Sequence, residues 1–199
     1  MQALRTRTDK EGAQHHAHLP VRVYAEDGVQ EHRIRHAREF VRRACELSAI
    51  ASPRIIELGC GTGDISGPFA ATAEVIGYDV NAPAVECARG RFPQASYEVA
   101  DILTLTPVEC DVLILCETLE HINDPDALLR AWLPLARTSV ISHPIDGDLT
   151  GDMSGGDHCW SYSHDDFGRW AGVGGHQYLQ TFGFQMGAYF VNFGLTRRT

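Results

Sequence analysis

The amino-acid sequence predicts an α/β fold: a seven-stranded, mostly parallel sheet with helices on both faces and a C-terminal antiparallel hairpin. Three observations carry that prediction. Short apolar runs alternate with stretches of helical periodicity, as parallel strands joined by crossover helices require. The run DVLILC at 111–116 is continuously apolar, as a strand covered on both faces must be. Finally, Ile55-Ile56-Glu57-Leu58 leads directly into Gly59-Cys60-Gly61-Thr62-Gly63, a glycine-rich turn at the end of an apolar strand. The 199 residues suit one domain, and a 44% hydrophobic share is enough for its core.

Taken in order, residues 1–26 are polar and irregular and read as a flexible N-terminal segment before a domain over 27–199. His15, His16 and His18 cluster in it, open to a solvated tail or a metal site, and the composition favours the tail. From 27 to 50 the spacing of Val29, Ile34, Phe40, Val41, Ala44 and Leu47 predicts a helix. Arg33, Arg35, Arg38, Arg42 and Arg43 line its other faces, either as a solvated surface or as contacts to substrate or phosphate. Strands are predicted at 54–58, 74–78, 96–99, 111–116 and 139–142, and helices at 82–91 and 124–136, the latter with Pro125 in its first turn. A helix over 163–171 opens with Ser163 as its cap and Asp166 three residues on. The aromatic, glycine-punctuated stretch 178–195 reads as the closing hairpin. Between these, 147–156 is glycine-rich, with Asp146, Asp148, Asp152 and Asp157 in or beside it, and reads as a lid or as an ordinary surface loop.

Charge and cysteine usage narrow the class. A net charge of −9 weighs against duplex nucleic acid as a partner, while leaving a local basic patch open. Cys45, Cys60, Cys87, Cys110, Cys116 and Cys159 form no CxxC pair, so no zinc knuckle is predicted, and several read as small buried hydrophobes. No run approaches the roughly 18 apolar residues of a membrane span, and the polar start does not read as a leader. The expectation is a cytoplasmic protein without a membrane partner; the oligomeric state is not legible.

The glycine turn carries the strongest chemical signal. Its spacing is GxGxG rather than the GxGxxG of a pyrophosphate-binding turn. Glu57, just before it, would repel a pyrophosphate and welcome an ammonium or sulfonium group. Asp79, twenty residues after Gly59 at the end of the second strand and followed by Val80, can accept from both hydroxyls of a ribose. In these residues the chain resembles class I S-adenosylmethionine (SAM)-dependent methyltransferases, whose first motif reads E/DxGxGxG and whose fold is Rossmann-like. The resemblance spans about 53–183. It implies SAM as cofactor, held by Glu57, Gly59, Cys60, Gly61, Thr62, Gly63, Asp79 and Val80. It also implies that Asp101 accepts from the adenine amine, that Ile102 packs on the ring and that Cys116 lies beside the methyl donor.

The fourth strand is followed by Glu117-Thr118-Leu119-Glu120-His121. If this segment is helical, Glu117, Glu120 and His121 share a face, and two carboxylates with an imidazole suit Mg²⁺ or a similar ion. His158, in the run 157–163, would complete the set of ligands. Two methyltransferase groups are similar here. Ubiquinone-pathway O-methyltransferases carry ExxEH and use a divalent metal. Small-RNA 3′-terminal 2′-O-methyltransferases carry ExxEH plus a later histidine in a DHxFxWT-like run. The RNA enzymes show Thr-Pro-Asn after the fifth strand, where this chain has Ser142-His143-Pro144. A rival reading makes His121 or His158 a direct general base, with His143 a further candidate on the same rim. Trp160, Tyr162, Trp170 and Tyr178 either wall a ring-shaped substrate or belong to the core. The predicted activity is SAM-dependent O-methylation of a small-molecule hydroxyl, with a divalent metal assisting. The alternatives are RNA 3′-terminal ribose 2′-O-methylation and a non-catalytic SAM-fold partner protein; the intact glycine turn and Asp79 argue against the last.

Overall fold

Strand and helix formation follow the apolar pattern closely in the computed structural model, which describes residues 4–5, 16–26, 28, 30–145, 160–163, 165–186 and 189–199. The elements are β1 (Leu4–Arg5), α1 (Glu31–Ser48), β2 (Arg54–Leu58), β3 (Glu74–Asp79), α2 (Ala82–Arg91), β4 (Ser96–Val99), β5 (Cys110–Cys116), α3 (Pro125–Trp132), β6 (Ala136–Ile145), β7 (Trp160–Ser161), α4 (Asp166–Val173), β8 (His176–Met186) and β9 (Tyr189–Arg198). Seven strands form one sheet in the order β4-β3-β2-β5-β6-β9-β8, and β1 pairs with β7 apart from it. The first five are mutually parallel; β9 runs antiparallel to β6 and closes the predicted hairpin with β8.

Alternation along the central strands builds two cores. Ile56, Leu58, Leu113, Leu115 and Ile141 pack on one face with Trp132 of α3 and with Phe167 and Trp170 of α4. Their neighbours Ile55, Val112, Ile114 and Val140 pack on the other face with Ile34, Ala37, Phe40, Val41 and Ala44 of α1. Each strand residue thus falls on the face its parity dictates. The strand order reverses between β2 and β5, the switch point at whose carboxyl ends open α/β sheets bind ligands.

Several element boundaries differ from the sequence reading, among them those of α3, β6 and α4. The helix expected to reach 136 ends at Trp132; a 3-10 turn with Pro134 follows, and Ala136 already starts β6. Proline cannot donate the helical hydrogen bond, so the helix stops short of it. Strand β6 runs past both ends of the predicted 139–142 because β5 pairs with it from Ala136 and β9 pairs with it as far as Ile145. Helix α4 begins at Asp166 rather than Ser163, and the Asp166 carboxylate reaches back to the Ser163 amide at 2.8 Å. The arginines of α1 divide. Arg42 and Arg43 pair with Glu39 on the surface. Arg33 is buried with its guanidinium over the Tyr24 ring, and Arg38 Nε donates to the Asp64 carbonyl.

Candidate cofactor and transfer site

Gly59, Gly61 and Gly63 all hold positive φ (79°, 51° and 73°), the left-handed region that side chains rarely adopt. They serve different ends. A Cβ on Gly59 would lie 2.7 Å from Thr118 Oγ1, and one on Gly63 would lie 2.6 Å from the Tyr97 hydroxyl. A Cβ on Gly61 would meet no atom within 4 Å. Gly59 and Gly63 are therefore required by the protein's own packing, whereas Gly61 opens onto free space where a ligand can approach the backbone.

Asp79, at the tip of β3, is the carboxylate that reaches this turn. Its Oδ2 accepts from the Gly61 amide at 2.8 Å and its Oδ1 from the Asn81 amide at 2.8 Å. Asp79 thus sets the path of the open part of the turn. The electrostatic role expected of Glu57 is corrected. That carboxyl is fully buried, its Oε2 accepts from the Ser66 amide at 3.2 Å, and desolvation pushes it up to about 8. Burial thus disfavours the charged form of this carboxyl, which braces the turn from behind.

The other residues expected at the cofactor differ in their surroundings. Cys60 is turned into a small core with Val85, Ala88 and Tyr97, so it contributes backbone only. The Thr62 hydroxyl lies 2.8 Å from Asp64 Oδ2 and 3.0 Å from the Arg22 carbonyl. Val80 and Ile102 are half-buried; Asp101 is too, and its Oδ1 accepts from Leu103 N at 3.0 Å. Cys116 is buried at the end of β5, with burial pushing its thiol well above the usual range, so it is an inert apolar neighbour.

The segment after β5 is not the α-helix that would align Glu117, Glu120 and His121. Glu117 sits at φ 54°, its amide donates to the Ser142 carbonyl, and its Oε1 accepts from Ser142 Oγ at 2.7 Å. It prolongs the β5–β6 edge, and only Leu119–His121 form a single 3-10 turn. Glu120 is fully buried; His121 is partly exposed, its Nε2 4.0 Å from Glu120 Oε1. Among the described residues no group of three or more His, Cys, Asp or Glu side chains is placed to hold a metal ion. His158 and the loop 147–156 lie outside the described residues.

His143 is not on the rim. It is fully buried on β6, its ring packed against Tyr162, Phe167 and Trp170, with Nδ1 3.0 Å from the Pro144 carbonyl. Trp170 and Tyr162 are core, and Tyr178 packs against the same cluster. Trp160 and Tyr162 also clamp the turn after β5: the indole donates to the Ile122 carbonyl at 2.8 Å and the phenol to the Leu119 carbonyl at 3.0 Å. Sequence reasoning missed Asp64, Asn81 and Thr118. Asn81 caps α2 through Ala84 N, a signal that Asn-Ala-Pro carries locally; the other two make their contacts across the fold.

The strand order, the turn and the carboxylate beyond it define a class I SAM-dependent methyltransferase fold. Residues 55–138 match the family model described as "Methyltransferase domain". A ubiquinone biosynthesis O-methyltransferase of Rhodopseudomonas palustris (strain BisB5) is 32% identical over 110 residues, covering 52% of this chain and 44% of that protein. A trans-aconitate 2-methyltransferase of Methylobacterium radiotolerans is 38% identical over 103 residues, covering 48% of this chain and 36% of that protein. The match therefore spans less than half the length of either relative. The magnesium protoporphyrin IX methyltransferase of Synechocystis PCC 6803, solved with bound S-adenosylhomocysteine (SAH), superposes with a TM-score of 0.73 at 18% identity, covering 91% of this chain and 90% of that one, a likeness of fold.

Proposed function

We propose that the protein transfers the methyl group of SAM to an oxygen of a small molecule. The observation that carries this reading is the open face of Gly61, steered by the Asp79 carboxylate, at the sheet's switch point. When bound, SAM supplies an electrophilic methyl on a sulfonium. The residues suited to hold it are the Gly59–Gly63 backbone, Asp79 with Val80, and Asp101 with Ile102. Cys116 offers an apolar boundary beside them.

Positioning accounts for much of the catalysis in such transfers. Glu117 marks the transfer end: a non-glycine residue held at positive φ costs on the order of 1 kcal/mol, and such strain concentrates at functional sites. His121 is the partly exposed base beside it, with the buried Glu120 carboxylate 4.0 Å away. In this reading His121 takes the hydroxyl proton as the oxygen attacks, and Glu120 steadies the resulting imidazolium. Glu117 is turned to Ser142 and, among the described residues, forms no group of three with Glu120 and His121, which supports a histidine base over a metal held by these three. The names of the relatives support a small-molecule acceptor, and the acidic charge of −9 argues in the same direction.

The test is methyl transfer from labelled SAM to a panel of phenols, catechols and carboxylic acids, with a 3′-terminal RNA oligonucleotide as a further acceptor. The proposal expects label in a small acceptor, persistence of turnover in chelator, and a large fall in rate for His121→Ala with SAH affinity retained. Loss of turnover in chelator would restore the metal reading, and label in RNA alone would replace the substrate class.

A further inference from the structure

The N-terminal segment, which the sequence reads as a tail, touches four of the stretches that follow the parallel strands, those after β2, β3, β5 and β6. After β2, the Thr62 hydroxyl lies 3.0 Å from the Arg22 carbonyl, and Tyr24 N donates to Asp64 Oδ2 at 2.9 Å. After β3, Asn81 Nδ2 donates to the Leu19 carbonyl at 2.8 Å and to the His16 carbonyl at 3.3 Å. After β5, the His16 ring meets the His121 ring edge-on at 4.4 Å between centroids. After β6, Leu4–Arg5 pair with Trp160–Ser161. The stretch after β2 is the glycine turn itself, with its open position at Gly61.

We propose that residues 16–26 cover the cofactor cleft and that Asn81 is the positioning residue that holds the cover shut. The inference rests on the reading that the cleft takes SAM. Asn81 divides its side chain between two tasks. Its Oδ1 accepts from Ala84 N and caps α2, while both amide hydrogens serve the covering segment. It stands two residues beyond Asp79, so the latch closes over the ribose end of the site. His16 against His121 closes the transfer end. Cofactor then enters and leaves only when the Asn81 contacts open, and the latch governs the dissociation rate.

Asn81→Asp separates the two tasks. Aspartate keeps the cap, and at the latch it replaces a donor with an acceptor facing two carbonyls. Asn81→Ser, also a good cap but too short to reach the segment, is the second variant. Three measurements are made on the full chain: thermal melting, SAH dissociation by stopped flow, and tryptic cleavage after Arg22 with and without SAH. Both variants should melt near the unmutated protein, release SAH about tenfold faster and lose the SAH-dependent protection of Arg22. An unmutated chain that binds no SAH would remove the cofactor reading itself. Unmutated binding, with dissociation and Arg22 cleavage unchanged in both variants, would overturn the cover alone.

Discussion

Replacing Glu57 with glutamine should flatten the protein's stability against rising pH. Glu57 is 2% exposed behind the glycine turn. Burial pushes its carboxyl from the ordinary 4.5 up to about 8; hydrogen bonds from Ser66 oppose the rise and the neighbouring Asp64 and Asp79 add to it. In the unfolded chain the same carboxyl titrates near its ordinary value. Between those two pH values the folded protein keeps a proton that the unfolded chain has released. Stability present at pH 4.5 is therefore lost as pH climbs toward 8. A span of about 3.5 units at about 1.4 kcal/mol each makes the full loss on the order of 5 kcal/mol. Glutamine has nearly the same shape, can still accept from Ser66 N and does not ionise. Urea midpoints measured from pH 5 to 9 for both proteins give the difference curve. It should tilt in favour of Glu57→Gln across the window and level off above pH 8. Parallel curves would show that the buried carboxyl titrates normally and that the account of the turn's rear support is wrong.

The clamp and the aromatic core each give a further expected outcome. Tyr162→Phe removes the hydrogen bond to the Leu119 carbonyl, so it should cost about 1 kcal/mol in stability. It should also slow methyl transfer while leaving SAH affinity in place, because the turn carrying Glu120 and His121 loosens; paired melting, kcat and SAH titrations check this. His143→Phe should keep its turnover, since the ring is fully buried among Tyr162, Phe167 and Trp170. A collapse of kcat with intact SAH binding would return His143 to the transfer site.

Local features were legible in the sequence. The bounds 54–58, 82–91 and 96–99 emerge unchanged in β2, α2 and β4, because apolar runs ended by glycine, proline or an asparagine cap define themselves within a few residues. The glycine turn and Asp79 were legible for the same reason. What escaped depends on distant partners: Thr118 bonds to the Leu58 carbonyl, Tyr24 to Asp64, and Asn81 to Leu19, each across at least 40 positions of chain. The spacing of Glu117, Glu120 and His121 misled because it presumes an α-helix. The Glu117 amide instead bonds to Ser142, which binds that residue to the sheet edge and turns the backbone left-handed before the next turn begins. His143 misled through its neighbours: a residue in sequence after the fifth strand's core was expected on the rim, but β6 continues to Ile145 and carries it inside.

The claim on which the rest depends is that the turn at Gly61 and the Asp79 carboxylate form a SAM site. Isothermal titration of SAH into the full chain tests it directly. The account predicts one site per chain, and a loss of about 1–3 kcal/mol in binding on Asp79→Ala, from the ribose hydrogen bonds and the Gly61 amide contact that the carboxylate provides. No heat of binding to the unmutated protein, or equal affinity for the Asp79→Ala variant, would contradict it.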